Sequence, residues 1–413
     1  MTITLRPHQQ RALDSMSSAA KGQVLVPTGG GKTMIMIRHA LRMLADGPRT
    51  IVVVAPRILL ANQLCEEFMQ QIDSKYVHVA HCHSGETHYF SSTKSEKIAL
   101  FNNVARTADE SCIIFTTYHS LRRVVDAGID IDVAYFDEAH NACSKQFFVP
   151  VAACSNFADR SFFFTATPRQ SRRHDRGMNN TMVFGNVICN VPAPELINNG
   201  SIIPPVVVGI ETNVDRTKDS AAQIDADTVS NIIDNLDDSQ AAKVLVAAPS
   251  SRVLGRMLGQ SDMIQQLKDR DYHVLHITSK FGAYVDDRKV NREEFFNTLT
   301  TWGSDPSKKF VVFHYSILSE GINVPGLTHC ILLRNLNVVE MAQTIGRVIR
   351  IDRNDAADIA SGKLVPGQCQ FYRKSCGFVS VPVHNNYGAA TIKRLQNVVD
   401  AIFVKGIPPL ALV

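Results

Sequence analysis

The sequence predicts an α/β protein made of two tandem halves, each a mostly parallel sheet with helices on both faces. Two observations predict this. Short apolar runs alternate with amphipathic stretches from residue 24 to residue 166, and after a proline-rich break the alternation restarts at residue 206. Apolar runs bounded by helical periodicity are the mark of strands buried on both faces of a parallel sheet. The length of 413 residues suits two or three domains of roughly 100–200 residues each. With 45% apolar and 20% charged residues, the chain has the balance of a globular protein with an ample core.

In the first half, VLV (24–26), TIVVVA (50–55), CIIFTT (112–117), VAYFD (133–137) and SFFFTA (161–166) are the expected strands. MIMIRHALRML (34–44) and LLANQLCEEFMQQI (59–72) supply helices between them. VPAPELINNGSIIPP (191–205), with four prolines and a glycine, is the expected break between domains. We place the first domain at 1–195, a linker at 196–205 and the second domain, with a C-terminal tail, at 206–413. In the second half the strands are VVVGI (206–210), KVLVAAP (243–249), YHVLHIT (272–278), KFVVFHY (309–315) and HCILLR (329–334). GFVSVPV (377–383) reads as a further strand, and TIKRLQNVVDAIF (391–403) as a closing helix.

Charge and cysteine usage exclude several classes. The net charge of +4, from 43 basic and 39 acidic residues, permits a nucleic-acid partner on a local patch without requiring one. Nine scattered cysteines, none in a C-x-x-C pair, point to reduced thiols in a cytoplasmic protein. His81-Cys82-His83 lacks a matching Cys/His pair at zinc spacing, so no metal site is expected there. The N-terminal MTITLRPHQQ has no apolar signal-peptide core, and no apolar run is long enough for a membrane span.

VLVPTGGGKT (24–33) reads as a strand, a glycine-rich turn, a Lys-Thr pair and a helix start. Backbone can approach a phosphate closely only where there is no Cβ, hence Gly29, Gly30 and Gly31 following Thr28. Lys32 can reach the β- and γ-phosphates, and the Thr33 hydroxyl can ligate Mg²⁺. Val26 stands where the G-x-x-x-x-G-K-[ST] pattern begins with Gly, so a glycine turn that merely carries a lysine remains an alternative at this point. VAYFDEAH (133–140) supplies the partner: an apolar strand ending in two carboxylates, where α/β sheets bind ligands. Asp137 would hold Mg²⁺, and Glu138 would orient and polarise an attacking water. The two segments together predict ATP hydrolysis. In QTIGRVIR (343–350), Arg347 and Arg350 stand three residues apart and share a helix face. They are either solvated surface charges or a pair held toward an anion.

The phosphate loop, DEAH, FTATP (164–168), SEGINVPG (319–326) and QTIGRVIR, in this order and spacing, resemble the motifs of superfamily 2 helicases and translocases. The resemblance spans about residues 5–352. The end of the chain is similar to phage-encoded members of the group that holds UvsW, the type III restriction subunits and XPB-like proteins. This resemblance implies two RecA-like domains that close over one ATP with Mg²⁺. It implies that Arg347 and Arg350 face the γ-phosphate from the second domain, that Gly346 allows close approach, and that Gln343 lies on the nucleotide side. LRPHQQRAL (5–13) matches the adenine-reading segment, with Gln9 on the base and Arg6 bordering it. Thr165 and Thr167 match the motif coupling hydrolysis to strand movement. Gly321 and Asn323 match the motif touching nucleic acid and the γ-phosphate region, though many relatives carry Asp at the position of Asn323.

Family members hold one strand through its phosphates, which positions without reading sequence. The matching positions are Arg57, Thr116 and Thr117 in the first domain, and Ser250 and Thr278 in the second. For Ser250 and Thr278 a local capping role is the alternative. Arg122, Arg123, Arg172 and Arg173 read as solvated surface charges. The resemblance implies DNA over RNA as the track, a monomer with a partner protein for targeting, and no membrane. RNA unwinding and duplex translocation without strand separation are the rival activities. The chain starts only a few residues before LRPHQQ, so no additional N-terminal nucleic-acid domain is expected.

Overall fold

A computed structural model describes residues 5–73, 75, 77–212, 214–236, 241–278, 280–315, 324–334, 336–384 and 388–412, with side chains described outside 388–391. Two compact units divide the chain: Met1–Val191 with Pro408–Val413, and Pro192–Ile407.

The first unit contains β1 (Lys21–Leu25), β2 (Thr50–Ala55), β3 (Val77–Cys82), β4 (Phe90–Ser91), β5 (Ser111–Thr117), β6 (Val133–Phe136), β7 (Arg160–Thr165), β8 (Arg169–Gln170) and β9 (Val187–Asn190). Eight of these form one sheet in the order β4-β3-β5-β2-β6-β7-β1-β9, and every pairing in it is parallel. The expected strands are all present because their side chains are buried on both faces: β2 and β5 have no exposed or half-buried residue. Aromatic residues fill the middle of the sheet, with the Phe136 and Phe163 rings stacked 4.5 Å apart. β3 was not expected from the sequence. Its run VHVAHC mixes histidines with apolar residues, yet its last four positions are buried. The His81 and His83 rings meet at 2.8 Å, Nδ1 to Nε2, and no cluster of three or more metal-ligating side chains exists among the described residues.

The second unit contains β10 (Pro205–Glu211), β11 (Lys243–Ala247), β12 (His273–Thr278), β13 (Gly282–Val285), β14 (Arg288–Val290), β15 (Phe310–His314), β16 (His329–Leu332) and β17 (Gly377–Val383). They form one sheet in the order β10-β17-β16-β11-β15-β12-β13-β14. It is parallel except for the β12-β13-β14 edge. GFVSVPV therefore lies inside the sheet, between β10 and β16.

Two expected boundaries differ from the structure. Residues 196–205 are not a free linker: Ala193–Asn198 is helical, Ile202 bridges Arg350, and the Ile203 N–H donates to Ile349 O at 2.9 Å. The apolar Ile202 and Ile203 are fully buried, which a solvated connector would not tolerate. The chain's end also leaves the second unit, because β18 (Ala411–Leu412) pairs with β8. No helix among the described residues is long and apolar enough to cross a membrane.

Candidate functional site

Strands β6, β7 and β1 are neighbours in the first sheet, so their carboxyl ends bring together segments over a hundred residues apart. β1 runs into the glycine turn and the helix Lys32–Ala45. Gly29 and Gly31 adopt φ of +87° and +82°, the left-handed region that costs an L side chain roughly 1–2 kcal/mol. An added Cβ at Gly31 would also press on the Gln9 side-chain amide, which would have to shift to make room. The helix Pro7–Ser17 thus rests on the turn through Gln9. His8, fully buried, reaches the same turn, its ring Nε2 standing 2.8 Å from Gly30 O. The Gln9 side chain also accepts from the Arg6 N–H at 3.0 Å, and burial lowers the pKa of the Arg6 guanidinium. In the sequence only its place beside Gln9 marks His8 as a candidate for this contact.

β6 delivers Asp137 and Glu138. Glu138 has φ +45°, a strained conformation for a non-glycine residue that the surrounding structure must enforce. Its Oε1 forms an ion pair with Lys32 Nζ at 3.3 Å, and its Oε2 lies 3.5 Å from His140 Nδ1. Asp137 is buried, and its Oδ1 has no partner among the described residues. Burial first, then the neighbouring Glu138 charge, pushes its pKa well above the usual carboxylate range, with Lys32 opposing. The buried Tyr118 hydroxyl donates to Asp137 O at 2.8 Å, a support that TTYHS did not disclose in the sequence. An orphaned buried carboxylate oxygen is the kind of hard donor that Mg²⁺ prefers, and the Thr33 hydroxyl in the first turn of the following helix is a second such oxygen.

β7 ends at Thr165. Its Oγ1 accepts from the Thr167 N–H at 3.0 Å and lies 3.1 Å from His140 Nδ1. Thr167 Oγ1 is 3.3 Å from the same nitrogen. One buried imidazole therefore touches both threonines of FTATP and the second carboxylate of DEAH.

In the second unit the helix Val338–Val348 opens with a capping box, Asn337 accepting from the Glu340 N–H. Gln343 and Arg347 are buried on it. Arg347 occupies the last turn, where a cation complements the helix dipole. Burial first, then the Arg347 and Arg334 charges, hold the His314 pKa down at about 3. Gly321 and Asn323 lie outside the described residues.

Several expected strand contacts are engaged elsewhere. Thr116 is fully buried and donates its hydroxyl to Cys82 O at 2.9 Å, so it offers nothing to solvent as placed. Being inside a central strand, its side chain points into packing. Thr117 Oγ1 accepts from the Ser120 N–H at 3.3 Å. Ser250 caps a helix by accepting from the Val253 N–H at 3.1 Å, and Thr278 Oγ1 accepts from the Phe281 N–H at 2.9 Å. For Ser250 the capping alternative is the one observed; the Thr278 bond instead closes the turn between β12 and β13. Arg57 sits half-buried at the N-cap of Ile58–Met69, and Arg122, Arg123, Arg172 and Arg173 are exposed.

Comparison with known proteins agrees with this geometry. Residues 2–170 match the family described as type III restriction enzyme, res subunit, and residues 227–352 match the helicase conserved C-terminal domain. The chain thus carries, in order, the two domains that make up a helicase core. No curated protein sequence matches it. Among solved structures it is similar to the ATP-dependent type ISP restriction-modification enzyme LlaBIII bound to DNA, at TM-score 0.70 and 15% identity, covering 100% of this chain and 31% of that one. It is similar to a putative HsdR subunit fragment of a type I restriction enzyme from Vibrio vulnificus YJ016, at TM-score 0.62 and 16% identity, covering 99% and 68%. It is also similar to Mss116p bound to single-stranded RNA and AMP-PNP, at TM-score 0.60 and 15% identity, covering 99% and 74%. This helicase fold thus spans under a third of the restriction-modification enzyme's length, and its likeness to all three is one of two tandem RecA-like domains.

Proposed function

We propose that the chain couples ATP hydrolysis to movement along nucleic acid, with DNA as the preferred track and a phage-type replication, recombination or repair role. One observation supports the coupling above all: His140 touches Glu138, Thr165 and Thr167 together. A change in Glu138 on hydrolysis is thereby transmitted to the motif assigned to strand movement. The Gly29–Lys32 turn binds the phosphates, Gln9 reads the base with Arg6 beside it, and Glu138 holds and deprotonates the attacking water. Asp137 and Thr33 would hold Mg²⁺, which neutralises phosphate charge when bound. Arg347 and Arg350 act on the γ-phosphate of the ATP held by the first unit, with Gln343 on the nucleotide side. Restriction enzymes that act on DNA and an RNA-bound protein both share the fold, so the preference for DNA rests on the motif resemblance.

The test compares steady-state ATPase rates with single-stranded DNA, duplex DNA, forked DNA and RNA, each over a salt series. DNA should stimulate most, and apparent affinity should fall with salt as phosphate contacts release counterions. Stimulation by RNA alone would assign RNA as the track. Duplex stimulation without strand separation would assign duplex translocation. Indifference to every nucleic acid would refute the proposal.

A further inference from the structure

The second unit buries a lysine that none of the helicase motifs includes. Lys374 lies on the turn before β17 and is 8% exposed. Its Nζ donates to Leu327 O at 2.6 Å and to Arg350 O at 2.9 Å. Among the described residues it has no carboxylate within ion-pair distance. The turn that carries it is itself anchored by Asp355, fully buried, whose Oδ1 accepts from the Arg373 N–H at 3.1 Å and from the Arg373 guanidinium at 2.9 Å. Asp355 Oδ2 accepts from the Lys374 N–H at 3.2 Å.

Burying an ammonium is costly unless its protons are donated, and an apolar side chain would fill the same space more cheaply. What a lysine adds is direction. Its two acceptors belong to different functional segments. Arg350 O closes QTIGRVIR just beyond the end of its helix, where carbonyls have no helical partner. Leu327 O follows the SEGINVPG segment assigned to nucleic acid. Both the lysine and its anchor lie beyond residue 352, where the match to the helicase C-terminal domain ends.

We propose that Lys374 is a positioning residue that ties the end of the arginine helix to the segment leaving SEGINVPG, so that nucleic acid on the track sets the placement of Arg350 and Arg347. The inference rests on the function proposed above. Burial lowers the pKa of its ammonium, and the Asp352 carboxylate opposes that shift.

The test uses the full chain. Lys374→Met removes both donors, and Lys374→Gln keeps an amide that can serve one carbonyl. Lys243→Met is the control: Lys243 is also a buried lysine donating to two carbonyls, Gly303 O at 2.6 Å and Asp305 O at 2.7 Å, but it does not reach Arg350. Thermal midpoints, ATP KM and nucleic-acid-stimulated kcat are measured for each. Both Lys374 variants should lose stimulated kcat, by about tenfold for Met and less for Gln, with ATP KM within about twofold, the pattern of an interaction made in the transition state. Lys243→Met should lower the thermal midpoint and keep stimulated kcat. If Lys374→Met does not fold, Lys374→Gln alone decides. Native stimulated kcat in a folded Lys374 variant, or equal kcat losses in Lys243→Met, overturns the inference. A native chain that no nucleic acid stimulates refutes the proposed function instead.

Discussion

Two lysines, the half-buried Lys32 of the first unit and the buried Lys374 of the second, show two ways of holding a cation out of solvent. Lys32 is paired with a carboxylate, Glu138. Lys374 is held by two backbone carbonyls. A carboxylate partner can be exchanged, because incoming phosphates offer the same charge. Carbonyls fixed by sheet and helix cannot be exchanged without moving the backbone. The first arrangement suits a ligand site that must open and close each cycle. The second suits a permanent brace. The difference teaches that burial of a charge alone does not mark a binding site; the mobility of its partner does.

The largest expected effects come from breaking the exchangeable pair. Lys32→Ala and Glu138→Gln should each reduce turnover by on the order of 10⁴. They should part in nucleotide binding: Lys32→Ala loses Mg·ATP affinity, and Glu138→Gln retains it. Equilibrium binding of a fluorescent ATP analogue separates them, and near-normal turnover in Glu138→Gln would remove its assignment to the water.

Next are the arginines. Arg347→Ala or Arg350→Ala should leave ATP binding largely intact and lower kcat with saturating DNA by on the order of 10³. Lysine at either position should rescue poorly, since a point charge cannot reproduce the planar fork. Full activity in both alanine variants would return the pair to solvated surface charges.

A smaller effect tests how closely the first site is fitted. Gly31→Ala should weaken ATP binding by about tenfold, because the added Cβ combines a left-handed φ with a clash on Gln9 Nε2. Gly31→Ala combined with Gln9→Ala should recover only the part due to the clash. Unchanged affinity in Gly31→Ala would mean the turn rearranges freely.

The last effect is on stability, not turnover, and is shared by both units. Burial lowers the pKa values of His39, His81, His276 and His329 to about 4 and that of His314 to about 3. The unfolded chain takes up these protons near the ordinary value of about 6.5, and the folded chain does not. Stability is therefore fully present above about pH 6.5 and falls as the pH drops toward 4. Thermal midpoints measured between pH 7 and pH 4.5 should decline steadily, and His39→Gln should flatten part of that decline. A midpoint independent of pH in this range would contradict the neutral buried state of these rings.

The sequence by itself determined the two-sheet architecture and the chemistry of the phosphate end. TIVVVA, CIIFTT and SFFFTA are local patterns whose burial on both faces leaves few alternatives to a parallel strand. GGGKT and DEAH carry their chemistry in adjacent residues. Only the tertiary structure decided which distant groups meet. His8 on Gly30, Tyr118 on Asp137 and His140 between two threonines have no sequence periodicity, because crossover connections set strand order and strand order sets their neighbours. The same holds for the threonines of the expected track: a lone Thr or Ser looks the same in sequence whether its hydroxyl faces solvent or, as at Thr116 and Ser250, a backbone group of its own fold. Lys374 was silent for that reason too. A lysine near the chain's end reads as a surface charge until β17 enters the sheet between β10 and β16 and carries it inside, where two carbonyls must take its protons.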